Sequence, residues 1–144
     1  MKNVTEILRS KARGDVFTIA PDATVLNAIE LMAEKNIGSL VVMDCNKLVG
    51  IITERDYSRK VILVGKSSRN TLVKEIMTQQ VLVIQPGTTI EECMVLMIEN
   101  NVRYLPVIDN KQVVGVVSMG NVVNSIISEQ NIVINNLQQY IMQG

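Results

Sequence analysis

The 144-residue sequence contains no histidine and only two cysteines, Cys45 and Cys93, which lie far apart in the chain. Zinc sites are built from closely spaced cysteine and histidine ligands, so this composition argues against a metal centre. Without histidine the usual general base is absent, and no nucleophile–base pair stands out. We therefore expect a protein that is not an enzyme and whose thiols are reduced.

Aromatic residues are also scarce, at 3% of the chain, although hydrophobic residues as a whole make up 47%. A core must then be built from isoleucine, valine, leucine and methionine. No apolar run approaches the roughly 18 residues that span a bilayer, and nothing resembles a signal peptide. These absences predict a cytoplasmic protein that does not enter a membrane.

Charge of one sign does not dominate either, because 14 basic residues balance 14 acidic residues. The chain thus has no general electrostatic attraction to nucleic acid. Five basic residues do fall in one stretch, from Arg55 to Arg69. Only Tyr57 could stack on a base there, so we predict that the stretch is partly a binding site and partly an ordinary solvated surface rather than a nucleic-acid site.

An internal repeat is the main positive feature. When the sequence is shifted by 65 positions, residues 16–62 align with residues 81–127 without a gap. Identical pairs include Pro21/Pro86, Thr24/Thr89, Met32/Met97, Asn36/Asn101 and Gly50/Gly115. The lead-in recurs as well, since residues 4–8 resemble residues 73–77. Two such copies predict halves that pack about a pseudo-twofold axis and leave ligand clefts between them.

Each half shows the same predicted order: a short lead-in helix, then strand, helix, strand, strand and helix. The first strands are predicted at Val16–Ile19 and Val81–Ile84, and the last helices of the two halves at 54–63 and 119–128. Thr24 and Thr89 are typical of helix starts, and Asn36 and Asn101 of helix ends. The sequence therefore predicts a mixed α/β (α+β) fold, with the first repeat at 1–70 and the second at 71–130.

The remaining segment, 131–144, is predicted to form a separate C-terminal helix. Its apolar residues Ile134, Leu137 and Ile141 recur at helical spacing and share one face.

One seven-residue motif, which we call the phrase, occurs twice, each time where a predicted strand leads into a predicted helix. Residues 50–56 read Gly-Ile-Ile-Thr-Glu-Arg-Asp, and residues 115–121 read Gly-Val-Val-Ser-Met-Gly-Asn. The hydroxyl residue stands at the start of a helix, where unpaired N–H groups attract phosphate. A carboxylate one turn later can accept hydrogen bonds from two ribose hydroxyls. The phrase thus suits a nucleotide, although the same residues are also ordinary helix caps that need no ligand.

The duplicated unit, its order of elements and both phrases resemble the cystathionine-beta-synthase (CBS) domain pair, also called a Bateman module. The resemblance covers about residues 4–128, and both phrases match the family pattern of glycine, hydrophobic, any residue, Thr or Ser, two of any residue, then Asp or Asn. It implies that adenosine-containing ligands (AMP, ADP, ATP, NAD or, less favoured, S-adenosylmethionine) bind between the halves without a required metal.

The resemblance also implies roles for particular residues. It assigns Asp56 and Asn121 to ribose, and Thr53 and Ser118 to the phosphate side. It places adenine against Thr18, Ile19, Ile37, Gly38, Ser39 and Leu40 in one half, and against Val83, Ile84, Val102, Arg103, Tyr104 and Leu105 in the other.

The two predicted sites are not equal. Asp56 can accept from both ribose hydroxyls, whereas Asn121 offers one acceptor oxygen, so we expect tighter binding at Asp56. Arg55 and Arg59 accompany only the first phrase and favour phosphate there. Arg103 could reach a phosphate from the opposite half or could be a solvated arginine at a strand edge.

Two functions remain open from the sequence. The first is a stand-alone regulatory sensor of adenine nucleotides that works by changing its conformation or assembly. The second is a ligand-free interaction or dimerisation module for a partner enzyme or transporter. The resemblance implies a disk-like homodimer in either case, and an unidentified regulated protein would read the signal.

Overall fold

The structure is a computed structural model that describes residues 2–11 and 16–143. Its helices are α1 (Val4–Ser10), α2 (Val25–Lys35), α3 (Glu54–Tyr57), α4 (Val73–Ile76), α5 (Ile90–Asn100) and α6 (Met119–Gln143). Its strands are β1 (Thr18–Ile19), β2 (Ser39–Asp44), β3 (Lys47–Thr53), β4 (Tyr104–Asp109) and β5 (Gln112–Ser118). The mixed α+β architecture of two repeats is therefore confirmed.

Antiparallel hairpins form the centre of each repeat. Strands β2 and β3 pair in the first repeat, and β4 and β5 pair in the second. Both hairpins turn through two residues with positive φ, Cys45–Asn46 and Asn110–Lys111. Both also shift register at the same repeat position, between Val42 and Met43 and between Val107 and Ile108. The duplication therefore extends to the irregularities of the backbone.

The first strand of each repeat is shorter than predicted. Only Thr18–Ile19 forms a strand, which pairs in parallel with β2, and in the second repeat only Ile84 bridges to Val107. In the first repeat the Val41 N–H donates to the Phe17 carbonyl at 3.4 Å. Pro106 occupies the equivalent position and has no N–H. The predicted strand Val81–Ile84 therefore cannot extend along β4.

The main helix of each repeat begins and ends as predicted. The Thr24 hydroxyl accepts from the Asn27 N–H, and Thr89 with Glu92 forms a capping box at α5. Asn36 and Asn101 end these helices in the left-handed conformation. Asparagine tolerates that conformation better than most residues, which explains its presence at both positions.

The two repeats differ most after the repeated phrase. In the first repeat, α3 continues into a π-helical turn at Ser58–Ile62. The helical backbone then ends before Gly65, which has φ 74°. In the second, Gln130 stands at the position equivalent to Gly65, and neither glycine nor proline occurs from there to residue 143. The boundary predicted between separate helices at 119–128 and 131–144 is therefore wrong, because one continuous helix, α6, runs from Met119 to Gln143.

Each repeat has its own aliphatic core, and the lead-in helices are exchanged between them. Val4 and Ile7 of α1 lie in the core of the second repeat, whereas Val73 and Ile76 of α4 lie in the core of the first. The backbone fixes the exchange, since the Val4 N–H donates to the Thr88 carbonyl at 2.9 Å. A matching bond joins the Val73 N–H to the Ala23 carbonyl at 2.8 Å.

The glycine of each phrase makes room for these exchanged segments. A side-chain carbon at Gly50 would lie 2.6 Å from the Met77 sulfur and 2.9 Å from the Thr78 carbonyl oxygen. At Gly115 it would lie 2.5 Å from a methyl group of Leu8. Glycine at these two positions therefore allows another segment of the chain to approach the strand closely.

Candidate functional site

The first phrase forms a complete capping box. The Asp56 N–H donates to the Thr53 hydroxyl at 3.0 Å, and the Thr53 N–H donates to Asp56 Oδ2 at 3.0 Å. The Thr53 hydroxyl also donates to the same carboxylate oxygen at 3.1 Å. The capping alternative from the sequence is therefore realised. It occupies Oδ2 of Asp56, so a ribose hydroxyl would have to share that oxygen or use Oδ1.

The other carboxylate oxygen of Asp56 faces Lys60. Lys60 Nζ lies 3.0 Å from Asp56 Oδ1 and also donates to the Ile76 carbonyl at 2.9 Å. Lys60 thereby links the carboxylate to α4. The Asp56 side chain is 12% exposed, and ion pairs that are partly shielded from water are stronger than exposed ones.

The second phrase repeats this geometry without charge. The Asn121 N–H donates to the Ser118 hydroxyl at 3.1 Å, and the Ser118 N–H donates to Asn121 Oδ1 at 2.9 Å. The Met119 N–H then donates to the Arg103 carbonyl at 2.8 Å, as the Glu54 N–H does to the Gly38 carbonyl at 3.1 Å. Each phrase is thus tied to the entry of the preceding hairpin in its own repeat.

A cleft of about 650 Å³ lies in front of the second phrase, and we call it the Asn121 cleft. The second repeat contributes Tyr104, Val116, Ser118 and Asn121. The first repeat faces them with Lys11, Val16, Phe17, Lys35, Asn36, Ile37, Gly38 and Ser39. This volume falls within the range of about 300–1,000 Å³ that is usual for small-molecule sites.

A second, smaller cleft of about 250 Å³ lies in front of the first phrase, and we call it the Asp56 cleft. The first repeat contributes Gly38, Ile51, Thr53, Glu54, Arg55 and Asp56, together with Thr78. The second repeat faces them with Asn101, Val102, Arg103 and Tyr104. The volume is slightly below the usual range, so a nucleotide would require this cleft to open.

The two clefts are built from equivalent positions. The phrase residues of one repeat face residues 37–39 or 102–104 of the other, and these triplets differ by the repeat offset of 65. This is the arrangement that a pseudo-twofold relation predicts. Each predicted site therefore draws on both halves.

Tyr104 separates the two clefts and lines both. Its hydroxyl lies directly against Gly38, where an added side-chain carbon would overlap it and would lie 2.9 Å from Glu54 Oε1. Burial raises the pKa of Tyr104, and the neighbouring Glu54 carboxylate adds to this effect, whereas Arg103 opposes it. The hydroxyl therefore stays protonated and can donate a hydrogen bond at physiological pH.

Most of the predicted site residues come together in the two clefts, but seven are not among the described residues that line them: Thr18, Ile19, Leu40, Val83, Ile84, Leu105 and Arg59. Leu40, Leu105 and Ile84 are buried in the repeat cores, so only their backbone could contact adenine. The remaining four lie on the surface or beside the first core. Their roles in binding stay predictions.

Two lysines of the Asn121 cleft were missed by sequence reasoning. Lys11 donates to the Val116 carbonyl, and burial lowers its pKa. Lys35 lies over the Phe17 ring, 5.3 Å from its centroid. Lys11 follows the exchanged helix α1, so no repeat comparison could place it. Lys35 could have been found, because it directly precedes Asn36, which ends helix α2 beside the predicted site residues 37–39.

Among the described residues, no group of histidine, cysteine, aspartate and glutamate side chains could hold a metal ion. None of the described helices has the length and hydropathy that a bilayer crossing demands.

These features define a tandem-repeat protein with two clefts between its repeats. The CBS-domain family profile matches residues 4–62 and 73–128, so the chain belongs to the CBS-domain family. It is 37% identical over 149 residues to the CBS domain-containing protein CBSX3, mitochondrial, of Arabidopsis thaliana. The match covers 98% of this chain and 72% of that relative.

Solved structures agree with this assignment. A CBS-domain protein from Burkholderia ambifaria has a TM-score of 0.86 at 44% identity, covering 90% of this chain and 96% of that chain. The CBS domain pair of protein MJ0100, solved in complex with 5-methylthioadenosine and S-adenosyl-L-methionine, has a TM-score of 0.76 at 25% identity. That match covers 87% of this chain and 99% of that chain.

Proposed function

We propose that the protein is a stand-alone regulatory module that binds adenosine-containing nucleotides in the clefts between its repeats. The observation that carries the proposal is the pair of equivalent clefts, each lined by the phrase of one repeat and the hairpin entry of the other. An acceptor for ribose and a hydroxyl at a helix start lie together in each. The adenosine ligands of the related MJ0100 pair support this ligand class. AMP, ADP, ATP and NAD are the further candidates.

The ribose contact should be stronger in the Asp56 cleft. A carboxylate with one oxygen toward Lys60 and one toward Thr53 can still accept further hydrogen bonds, because each oxygen has two lone pairs. Asn121 has a single acceptor oxygen, and one of its two lone pairs already accepts from the Ser118 N–H. Charged acceptors also form the stronger bonds. We expect Asp56 to hold a nucleoside or monophosphate more tightly than Asn121 does.

Phosphate charge favours the other cleft. The charged residues described along the Asn121 cleft are Lys11 and Lys35, whereas the Asp56 cleft has two carboxylates beside its two guanidinium groups. Arg59, which the sequence suggested for phosphate, is not among the described lining residues. The larger volume and the two lysine side chains that line it together suit a di- or triphosphate tail in the Asn121 cleft.

Binding would act through the contact between the repeats. A ligand moves an equilibrium only by its difference in affinity between two states. Tyr104 lines both clefts and packs on Gly38 of the opposite repeat, so a nucleotide that opens either cleft must displace this contact. The resulting shift would be read by a second copy in a disk-like homodimer or by a regulated partner protein. A cytoplasmic location remains our expectation, although the Arabidopsis relative is named as mitochondrial.

A second function is favoured by one observation, the closure of both phrases into helix caps. If the capping bonds are the only role of these residues, the protein is a ligand-free interaction module. We place nucleotide binding first because the caps alone do not explain why a cleft lies in front of each phrase. No enzymatic activity is proposed.

Calorimetric titration of nucleotide-stripped protein with AMP, ADP, ATP, NAD and S-adenosylmethionine tests the proposal. We expect micromolar binding, with AMP weakened most by Asp56→Ala and ATP weakened most by Lys11→Gln with Lys35→Gln. Lys47→Gln, at the exposed hairpin turn, is the matched control and should change neither ligand.

Absence of heat with every ligand would favour the interaction module. A thermal-stability scan checks this outcome independently, since a ligand at 100 times its dissociation constant adds about 2.7 kcal/mol to the free energy of unfolding. Equal losses of AMP affinity in Asp56→Ala and Asn121→Ala would contradict the proposed asymmetry of the two sites.

A further inference from the structure

Helix α6 extends well beyond the body of the second repeat. Near its start Val122 is fully buried in the core, and Ile126 packs against the same cluster. Every side chain from residue 131 to residue 142 is exposed, however. An isolated helix shorter than about 12–15 residues is marginal in water. The exposed segment is also rich in asparagine and β-branched residues, which are weak helix formers, so its helical state calls for a covering surface.

The apolar residues of this helix follow a seven-residue repeat. The exposed side chains Val123, Ile127, Ile134, Leu137 and Ile141 form one seam, with Gln130 as its single polar position. The steps along the seam are four, three, four, three and four residues. This alternation is the a and d pattern of a coiled coil, with isoleucine at each a position from Ile127 onward.

The composition of the helix specifies its partner. Glu129 is the only charged residue between positions 119 and 143, and it lies off the seam. A strongly charged partner would find no complementary group, whereas two copies would meet without repulsion between like charges. Isoleucine at the a positions with leucine at d favours two parallel strands, and one of the three d positions here is leucine, Leu137. Gln130 supports the same geometry, because it faces Gln130 of a second copy only in a parallel, in-register pair.

We propose that α6 pairs with α6 of a second copy as a short, parallel, two-stranded coiled coil. The seam from Val123 to Ile141 spans about 27 Å at 1.5 Å per residue. Val133 and Tyr140 flank it at g positions and widen the apolar contact. The buried start of α6 already fixes the first turns, so the helix nucleus is present before pairing. The seam contains none of the described residues that line either cleft.

Sedimentation equilibrium of the full chain over a range of concentrations tests the pairing. Ile134→Glu places a charge in the seam, and Ile132→Glu is the matched control at an f position outside it. The two residues are 50% and 52% exposed, so neither substitution disturbs the core. We expect Ile134→Glu to weaken association by at least about tenfold, since burying an unpaired charge is costly. Ile132→Glu should associate like the parent chain.

A cysteine cross-link tests the parallel register and excludes the disk-like contact as its source. In a Cys45→Ser background, which leaves only buried Cys93, Leu137→Cys should form a disulfide-linked dimer under mild oxidation. Gln139→Cys, at an f position, should not, because a disulfide needs Cα atoms within about 7 Å. A monomer at all concentrations, equal association of both glutamate variants, or equal cross-linking at both positions would overturn the proposal.

Discussion

The Tyr104 hydroxyl occupies the space in which a side chain on Gly38 would lie, so these two residues of opposite repeats close one small volume between the two clefts. Glycine at position 38 is required by this contact rather than by its backbone conformation, because its φ is not in the positive range. The contact joins the repeats at the point where both predicted ligands would lie.

Gly38→Ala should destabilise the protein by about 1–3 kcal/mol, since overpacking forces the tyrosine or the backbone to move. Chemical denaturation gives this value. Gly87→Ala is the matched control, because a carbon added there meets no atom within 4 Å. Adding Tyr104→Phe to Gly38→Ala should restore part of the loss. No restoration would mean that the strain arises elsewhere, for instance against Glu54.

The substitution Asp56→Asn distinguishes the helix-capping role of this side chain from the role of its negative charge. The amide oxygen can still accept from the Thr53 N–H, as Asn121 accepts from the Ser118 N–H in the second repeat. The variant loses only the ion pair with Lys60 and the charged ribose acceptor. We expect a small loss of stability, about 0.5–1 kcal/mol, with a clear loss of AMP affinity by calorimetry. Asp56→Ala also removes part of the capping box and should cost about 0.5–2 kcal/mol more.

The two cysteines should differ sharply in reactivity. Cys45 is exposed at a hairpin turn, whereas Cys93 is buried in the second core. Burial, with the nearby Glu92 and Glu91 carboxylates, raises the pKa of Cys93 to about 11. Because the thiolate is the nucleophile, a thiol reagent at pH 8 should label one site in the native protein and two in denaturant. Fast labelling of both native thiols would show that the α5 core is open.

The raised pKa of Cys93 also has a consequence for stability. Its ordinary value is 9.0, so the unfolded chain ionises first as the pH rises. The contribution of the buried thiol to stability is thus present below pH 9 and is lost between pH 9 and about 11. Denaturation midpoints in Cys93→Ser and the parent chain should therefore converge across this window. A constant difference would show that the thiol does not titrate on unfolding.

Exchange of the lead-in helices predicts that a core substitution acts in the repeat opposite to its place in the sequence. Ile7→Ala should cost about 2–5 kcal/mol and lower hydrogen-exchange protection first in β4 and β5. Ile76→Ala should do the same in β2 and β3. Ile7 and Ile76 are 5% and 2% exposed and form a matched pair. Loss of protection confined to the sequence-adjacent hairpin would contradict the exchange.

Much of this architecture could be predicted because the two repeats can be aligned with each other. The residues that indicate both hairpins, both main helices and their asparagine ends recur at equivalent positions in the two repeats. The continuous helix α6 was not predicted, although residues 128–131 are polar and contain no glycine or proline that would end a helix. The shortened first strand of the second repeat depended on a single absent N–H at Pro106, whose partner could not be known from the sequence.

The site was predicted less completely, since its parts meet only in the folded chain. Asp56, Asn121, Arg103 and Tyr104 were identified from the repeated phrase and the family resemblance, and they do line the clefts. Lys11 was not identified, because it reaches the Asn121 cleft from the end of an exchanged helix. Its role depends on a long-range crossing that no local pattern specifies.

The crossing of α1 and α4 has a mechanical consequence. Each lead-in helix is buried in the core of the other repeat. The two halves therefore cannot separate while both cores are intact. A protease cut in the connecting segment between Ile62 and Val73 would leave two fragments that each hold a piece of the other's interior. Such fragments should co-purify and melt together in one step, and either alone should fail to fold.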